Sequence, residues 1–155
     1  AIAELALLVE FELALGDAGD LPEELEIDIS DIPARVAADE SAHTEVDALK
    51  RIQMGYKAIA LKPIAKTFSM SLKIAQLAHE RGVPCFCADL TVSPLLVEWN
   101  KNVAARIAPI PGMRIGIVES NGAQNYAGWD AMIARHPSVP NAIPISCPSA
   151  SSRLS

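Results

Sequence analysis

The chain has 155 residues, 50% of them hydrophobic and 21% charged, which is an ordinary composition for one globular domain with a sizeable core. Its net charge of −6 disfavours binding to nucleic acid or to an anionic membrane surface. No apolar run reaches the roughly 18 residues that a transmembrane helix needs, and the apolar start carries acids and lacks the basic region of a signal peptide.

Residues 1–20 are apolar with scattered acids and suit either a strand or a helix. From residue 35 onward the same succession of predicted elements occurs four times. A short apolar strand ends in an ionisable residue, and a loop and an amphipathic helix follow. The strands are predicted at 35–38, 58–61, 83–88 and 114–118, and the residues that end them are Asp39, Lys62, Asp89 and Glu119.

The predicted helices have recognisable ends. Thr44 and Asp47 have the spacing of a capping box, and Gly55 and Gly82 are placed to end the first two helices. Ser93 precedes a proline at the start of the third, predicted over about 95–108, and the fourth spans about 124–134. The second helix should turn an apolar face to the core, formed by Leu72, Ile74, Ala75, Leu77 and Ala78.

The near-continuous apolar strands predict a parallel sheet that is covered on both faces. The strand-end residues follow one another at 23, 27 and 30 positions, which suits a (β/α) barrel but also a doubly wound sheet. Ionisable residues at the carboxyl ends of all four strands favour the barrel, because these ends converge on one mouth where barrel enzymes keep their chemistry. We therefore expect an α/β fold, a partial (β/α) TIM-type barrel over 1–136, with a disordered Ser- and Pro-rich tail over 137–155.

The three cysteines include Cys85 and Cys87, which share one face of a predicted strand. Because no second Cys or His pair at a suitable spacing completes a zinc site, we predict reduced thiols and a cytoplasmic location.

Lys62 is the residue with the clearest chemical signal. It follows an apolar strand and precedes Pro63, so that no helix begins on it. Partial dehydration at the rim of the sheet would lower the pKa of its ammonium and make it a usable base. A carboxylate on the next strand would oppose that shift unless a divalent cation such as Mg²⁺ neutralised it. Asp39 is predicted to face the mouth, and Glu40 to face the loop or the surroundings of the metal, where it is a further candidate for the metal site.

The stretches VAADESAHT, GYKAIALKPIAKT and VPCFCADLTVSP resemble the enolase superfamily, in particular its mandelate racemase / muconate lactonising branch. The resemblance covers about residues 22–136. It implies that Asp39 is an Mg²⁺ ligand and Lys62 a catalytic base, and it makes Glu10 a further ligand candidate. Lys66, Asp89 and Glu119 fall where family members contact a small carboxylate substrate.

The implied reaction is abstraction of the proton α to a carboxylate, of the racemase, epimerase or acid-sugar dehydratase/lyase type. The strand with the family's Lys-x-Lys motif, one metal-ligand strand and the capping domain have no counterpart here. We therefore expect the last four to five βα units of such an enzyme, inactive alone. The alternative is a non-catalytic half-barrel that self-associates through its open edges, and a homo-oligomer is expected in either case.

Overall fold

The computed structural model describes Leu8–Glu10 and residues 27–88 and 91–137. Its strands are β1 (Leu8–Glu10), β2 (Arg35–Ala38), β3 (Ala58–Leu61) and β4 (Cys85–Cys87). Its helices are α1 (Glu45–Gln53), α2 (Phe68–Glu80), α3 (Pro94–Ala104), α4 (Gly122–Asn125) and α5 (Trp129–Ala134). The chain is thus a mixed α/β protein in which strands and helices alternate from β2 to α3.

The four strands form one parallel sheet in the order β1-β2-β3-β4. The 116–119 segment continues this order beyond β4. The amide of Cys87 donates to the Ile117 carbonyl at 3.0 Å, and the amide of Glu119 donates to the Cys87 carbonyl at 2.9 Å. Sequential strands that neighbour one another in a single direction are compatible with part of a (β/α) barrel. A doubly wound sheet would reverse its order at a switch point.

The two faces of the sheet carry different sets of buried side chains. Ile59 and Leu61 of β3 pack with the helices in one core cluster. Ala58 and Ala60, the alternate residues of the same strand, pack with Phe86 in the other. We call the face with Ala58 and Ala60 the inner face. Because side chains alternate along a strand, a residue two positions beyond Ala60 continues the inner face.

The first helix begins as the sequence predicts. Thr44 caps α1 by accepting from the amide of Asp47, whose carboxylate accepts from the amide of Thr44 at 2.9 Å. Gly55 follows the helix with a φ of +94°, and a Cβ there would lie 2.4 Å from the backbone nitrogen of Ser30. Both the left-handed conformation and this close approach require glycine.

Several predicted elements differ in extent from the observed ones. Strand β4 starts at Cys85 rather than at residue 83, because the amide of Val83 donates to Ala78 and closes α2. The predicted strand 114–118 is a single bridge at Val118, since residues 114 and 115 are exposed. The predicted helix 124–134 is divided into α4 and α5 by Gly128, which has a φ of +78°.

The helices α2 and α3 differ in detail from the predictions. Helix α3 ends at Ala104 rather than near 108. The 116–119 segment crosses its end so closely that a Cβ on Gly116 would lie 2.0 Å from the Ala104 carbonyl oxygen. Leu72, predicted to face the core, is exposed, and Ser71 is buried in its place. Among the helices in the described ranges, none combines the length and apolar character needed to cross a bilayer. The tail predicted over 137–155 lies outside the described residues from 138 on.

Phe86 should contribute more to stability than any exposed aromatic side chain. It is buried at the centre of the inner-face cluster, whereas Phe68 is half exposed on α2. We expect Phe86→Ala to lower the free energy of unfolding by about 3–5 kcal/mol because it leaves a cavity. Phe68→Ala should lower it by about 1 kcal/mol, since it removes one edge contact with Trp99. Urea denaturation followed by circular dichroism measures both, and equal losses would contradict the assignment of the core.

Candidate active site

The candidate site lies where β2 and β3 end side by side. Ala37 of β2 and Ala60 of β3 belong to the inner face, and Asp39 and Lys62 follow them by two positions. The alternation of side chains therefore directs both ionisable groups to the same side of the sheet. Lys62 is only 4% exposed, although it is the first residue after the strand.

Two carboxylates converge on the Lys62 ammonium. Its Nζ lies 2.9 Å from Oδ1 of Asp39 and donates a hydrogen bond to Oε1 of Glu40. The exposed fraction of the side chain rises from 20% for Asp39 to 59% for Glu40. The structure thus brings together three of the predicted site residues, with the lysine inside and the two acids toward solvent.

The pKa of Lys62 reflects the opposition between burial and neighbouring carboxylates that the sequence predicts, and the carboxylates dominate. Burial by itself lowers this pKa, but the hydrogen bond to Glu40 and the ion pair with Asp39 outweigh burial and raise it above its ordinary value. The hydrogen bond from Lys62 lowers the pKa of Glu40 more than burial raises it. The three groups form an ion cluster that favours the protonated form of Lys62.

Glu40, predicted to face either the loop or the surroundings of the metal, is directed at the ion cluster. It lies in the turn after β2, and its carboxylate reaches back to Lys62 instead of pointing into the loop. The turn closes by a hydrogen bond of 3.2 Å from the amide of Ala42 to the carbonyl of Asp39. This tight turn explains how two successive acids can face one ammonium.

The carboxylates of this cluster could hold part of the coordination shell of a metal ion. Within the described ranges, no group of three or more Asp, Glu, His or Cys side chains converges on one point. Asp39 and Glu40 do converge on one cation, the Lys62 ammonium. Mg²⁺ is commonly held by one or two carboxylates, with waters and substrate oxygens completing its octahedral shell. The pair therefore fits Mg²⁺ as an oxygen donor set of two, and Lys62 is the group that would compete with the ion for it.

Lys66, which lies between β3 and α2, contacts the same turn. Its ammonium donates to the carbonyl oxygens of Asp39 and Ala42, at 3.2 and 2.8 Å. Burial, with a smaller effect from the neighbouring charge of Lys62, lowers the pKa of Lys66 below its ordinary value, although Asp39 opposes the shift. Its predicted contact with substrate stays a prediction.

The remaining predicted residues are placed only in part. Glu10 ends β1, and its backbone is in register with Ala37 of β2. Glu119 lies in the exposed end of the 116–119 segment, next to β4 in the sheet order. Asp89 lies outside the described residues. The roles predicted for these three acids stay predictions.

Arg51 is a member of the site region that the sequence analysis missed. It lies on α1, is 4% exposed, and donates from Nε to the carbonyl of Ser41 at 3.4 Å. The signal available in the sequence was its spacing from Ala48, which places both residues on one face of α1. A buried arginine on an otherwise apolar helix face needs polar partners, and the turn after β2 supplies one.

The two cysteines of β4 share a face, as predicted, and both pack with the helices rather than toward the site. Burial raises the pKa of each thiol to about 12, and the neighbouring Cys87 contributes to the shift of Cys85. Such thiols are neutral at physiological pH and act as small apolar side chains.

Comparison with solved structures finds a similarity over part of the chain. The chain is similar to a crystal structure described as a mandelate racemase/muconate lactonizing protein from Herpetosiphon aurantiacus, with 28% sequence identity and a TM-score of 0.45. The matched region covers 47% of this chain and 21% of that protein, so this chain spans about a fifth of that protein's length. No family model and no curated protein matches the chain. We therefore argue function from the geometry around Lys62.

Removal of the Glu40 charge should change the pH dependence of stability. The pKa of Glu40 is lowered from its ordinary value of 4.5. The contribution of Glu40 to the free energy of unfolding is therefore fully present above pH 4.5 and is lost as the pH falls through the lowered pKa. The pKa of Lys62 is raised from its ordinary value of 10.5. The contribution of Lys62 to the free energy of unfolding is therefore present below pH 10.5 and is lost as the pH rises through the raised pKa. Between these limits, Glu40→Gln should lower the free energy of unfolding by less than about 1 kcal/mol, because Glu40 is largely exposed.

Urea denaturation of the native chain and of Glu40→Gln over a series of pH values measures this difference. Glu45→Gln is the matched control, since Glu45 pairs with an exposed lysine, Lys73, at 3.5 Å. A difference between native and Glu40→Gln that is the same at pH 7 and at pH 2.5 would contradict the assigned ion cluster.

Proposed function

We propose that this chain is part of a Mg²⁺-dependent enzyme of the mandelate racemase / muconate lactonising branch of the enolase superfamily. Such an enzyme removes the proton α to a substrate carboxylate, as in racemases, epimerases or acid-sugar dehydratases. The observation that carries the proposal is the 2.9 Å approach of the buried Lys62 ammonium to the Asp39 carboxylate across two adjacent parallel strands. The motifs ADES and ALKP, one βα unit apart, supply these two residues.

The proposed roles follow from the positions of the side chains. Asp39 and Glu40 would hold the Mg²⁺ ion through their carboxylate oxygens, with Glu10 as the candidate for a third. The ion supplies Lewis-acid stabilisation of the negative charge that develops on the substrate carboxylate. Lys62 accepts the α proton at Nζ and returns it in the reverse step.

The ion cluster gives a physical reason why the base would depend on the metal. Asp39 and Glu40 raise the pKa of Lys62 as long as their charges are directed at it. Carboxylates that are engaged with a divalent cation exert less of this effect, and the burial of Lys62 then acts to lower its pKa. The same two acids would thus keep the lysine protonated without the metal and release it for proton transfer with the metal.

Metal binding provides the direct test. Mn²⁺ in place of Mg²⁺ should broaden the NMR signals of residues 38–42 and 60–62, because its unpaired electrons act on nearby nuclei. Asp39→Asn should weaken this effect at least about tenfold in apparent affinity, since a charged ligand is lost. Glu45→Asn, at an acid outside the cluster, is the control and should leave it unchanged.

Proton exchange tests the chemistry. In the complete enzyme of which this chain would be a part, with Mg²⁺ in deuterated water, exchange of the α proton of small carboxylates should decrease about 10²- to 10⁴-fold in Lys62→Met. Proton NMR of the substrate follows the exchange. A rate that Lys62→Met leaves unchanged would remove Lys62 from the proposed mechanism.

A second candidate function is self-association without catalysis. It is supported by an exposed apolar surface on α2 and α3 that comprises Phe68, Leu72, Leu95 and Trp99. Phe68 and Trp99 contact each other edge to face across the two helices, with ring centroids 5.6 Å apart. Light scattering after size exclusion separates the two functions. A dimer whose mass is indifferent to Mg²⁺ and to Asp39→Asn, in a chain that does not bind Mn²⁺, favours self-association alone. Oligomeric state and cytoplasmic location stay predictions.

A further inference from the structure

Lys66 reaches the site by a sharp reversal of the chain after β3. The amides of Ala65 and Lys66 both donate to the carbonyl of Lys62, at 3.0 and 2.9 Å. These bonds fold residues 62–66 into one turn, which brings the Lys66 side chain back to the end of β2. The next residue, Thr67, has a φ of +60°, which is costly for a β-branched side chain.

The Lys66 ammonium bonds both ends of the turn that carries the acids. Its Nζ donates to the carbonyl of Asp39 at 3.2 Å and to the carbonyl of Ala42 at 2.8 Å. The turn's own hydrogen bond joins the same two residues, from the amide of Ala42 to the carbonyl of Asp39. Ala42 is fully buried, so that end of the turn is fixed in the core.

The positions of both carboxylates on this turn depend on the position of its backbone. Asp39 is its first residue and Glu40 its second, and both contact Lys62. Two of the three ammonium donors of Lys66 are used by carbonyl oxygens, so its bonding partners are backbone groups of the turn rather than carboxylates. A shift of the turn by about 1 Å would separate Asp39 from Lys62 and would cost about 10²-fold in a reaction that needs both.

We propose that Lys66 is a positioning residue, which holds the Asp39–Ala42 turn so that the Asp39 carboxylate stays against Lys62. The proposal rests on the proposed function only where it gives Asp39 and Lys62 their chemical roles. The positioning itself concerns the ion cluster and can be measured without turnover.

The test compares three variants of the full chain, all with Cys147→Ser. Lys66→Met removes the ammonium but keeps the length of the side chain. Lys66→Cys treated with 2-bromoethylamine restores an ammonium on a side chain of similar length, and the buried thiols of Cys85 and Cys87 are protected by burial. Lys73→Met is the matched control, because Lys73 is an exposed lysine of α2. The parent chain treated with the reagent controls for unwanted alkylation.

Two NMR signals report on the site. The first is the ammonium signal of Lys62, which depends on its ion pairs. The second is hydrogen exchange at the amide of Ala42, which reports on closure of the turn. In Lys66→Met we expect the Lys62 signal to shift and broaden, and the Ala42 amide to exchange about tenfold faster. The aminoethylated variant should return both to the parent values, and Lys73→Met should leave both unchanged.

The outcomes distinguish this inference from the proposed function. If Lys66→Met leaves both signals at parent values, or if aminoethylation of a folded variant restores neither, Lys66 does not position the turn. Folding of each variant is checked by circular dichroism. Mn²⁺ broadening is measured on the same samples. Absence of Mn²⁺ binding in every variant would overturn the proposed function, while the effect of Lys66→Met on Lys62 would still support the positioning role.

Discussion

The arrangement of the whole site depends on one electrostatic requirement, the neutralisation of a buried ammonium. Lys62 is 4% exposed at the end of an apolar strand, where an unpaired positive charge would carry a large desolvation cost. Asp39 and Glu40 supply the opposite charge from the neighbouring strand. The position of the turn after β2 and the bonds that hold it are therefore tied to the position of a single side chain on β3.

The sheet makes this pairing possible through two simple rules. Parallel strands end at the same edge, so residues that follow β2 and β3 come close together in space. Side chains alternate between faces, so positions 39 and 62 lie on the same inner face as Ala37 and Ala60, two residues before them. Neither rule involves the acids or the lysine themselves. The scaffold thus fixes the meeting point, and the choice of residues at that point determines its chemistry.

Two further cations hold the backbone that presents the acids. Lys66 binds the carbonyls of Asp39 and Ala42, and Arg51 binds that of Ser41. Both use backbone oxygens, which leaves the carboxylates directed at Lys62. The cations that bind the backbone of the turn are thus different from the ammonium that the carboxylates contact. In the proposed enzyme the same carboxylates would bind either the lysine or a divalent ion, and this competition would link the protonation of Lys62 to metal binding.

The sequence by itself determined the main order of the fold and the residues that meet at its edge. Apolar runs ending in Asp39 and Lys62 predicted adjacent parallel strands, and Thr44 and Asp47 predicted the start of α1, because these signals are local. Local signals were less informative where distant segments compete for the same space. Helix α3 ends early because Gly116 crosses it, and the strand expected before Glu119 is reduced to one bridge.

Only the tertiary structure decided which partner each charged group takes. The sequence left Glu40 facing either the loop or the surroundings of the metal, and it left the pKa of Lys62 to the balance between burial and neighbouring carboxylates. The turn brings both acids onto the ammonium and raises that pKa. The contacts of Lys66 and Arg51 with the turn after β2 could not be predicted, because long side chains reach backbone carbonyls from other elements without any fixed spacing in sequence. Charge and position along the chain are properties of the sequence, but the sign of a pKa shift depends on distances between groups that only the folded chain brings together.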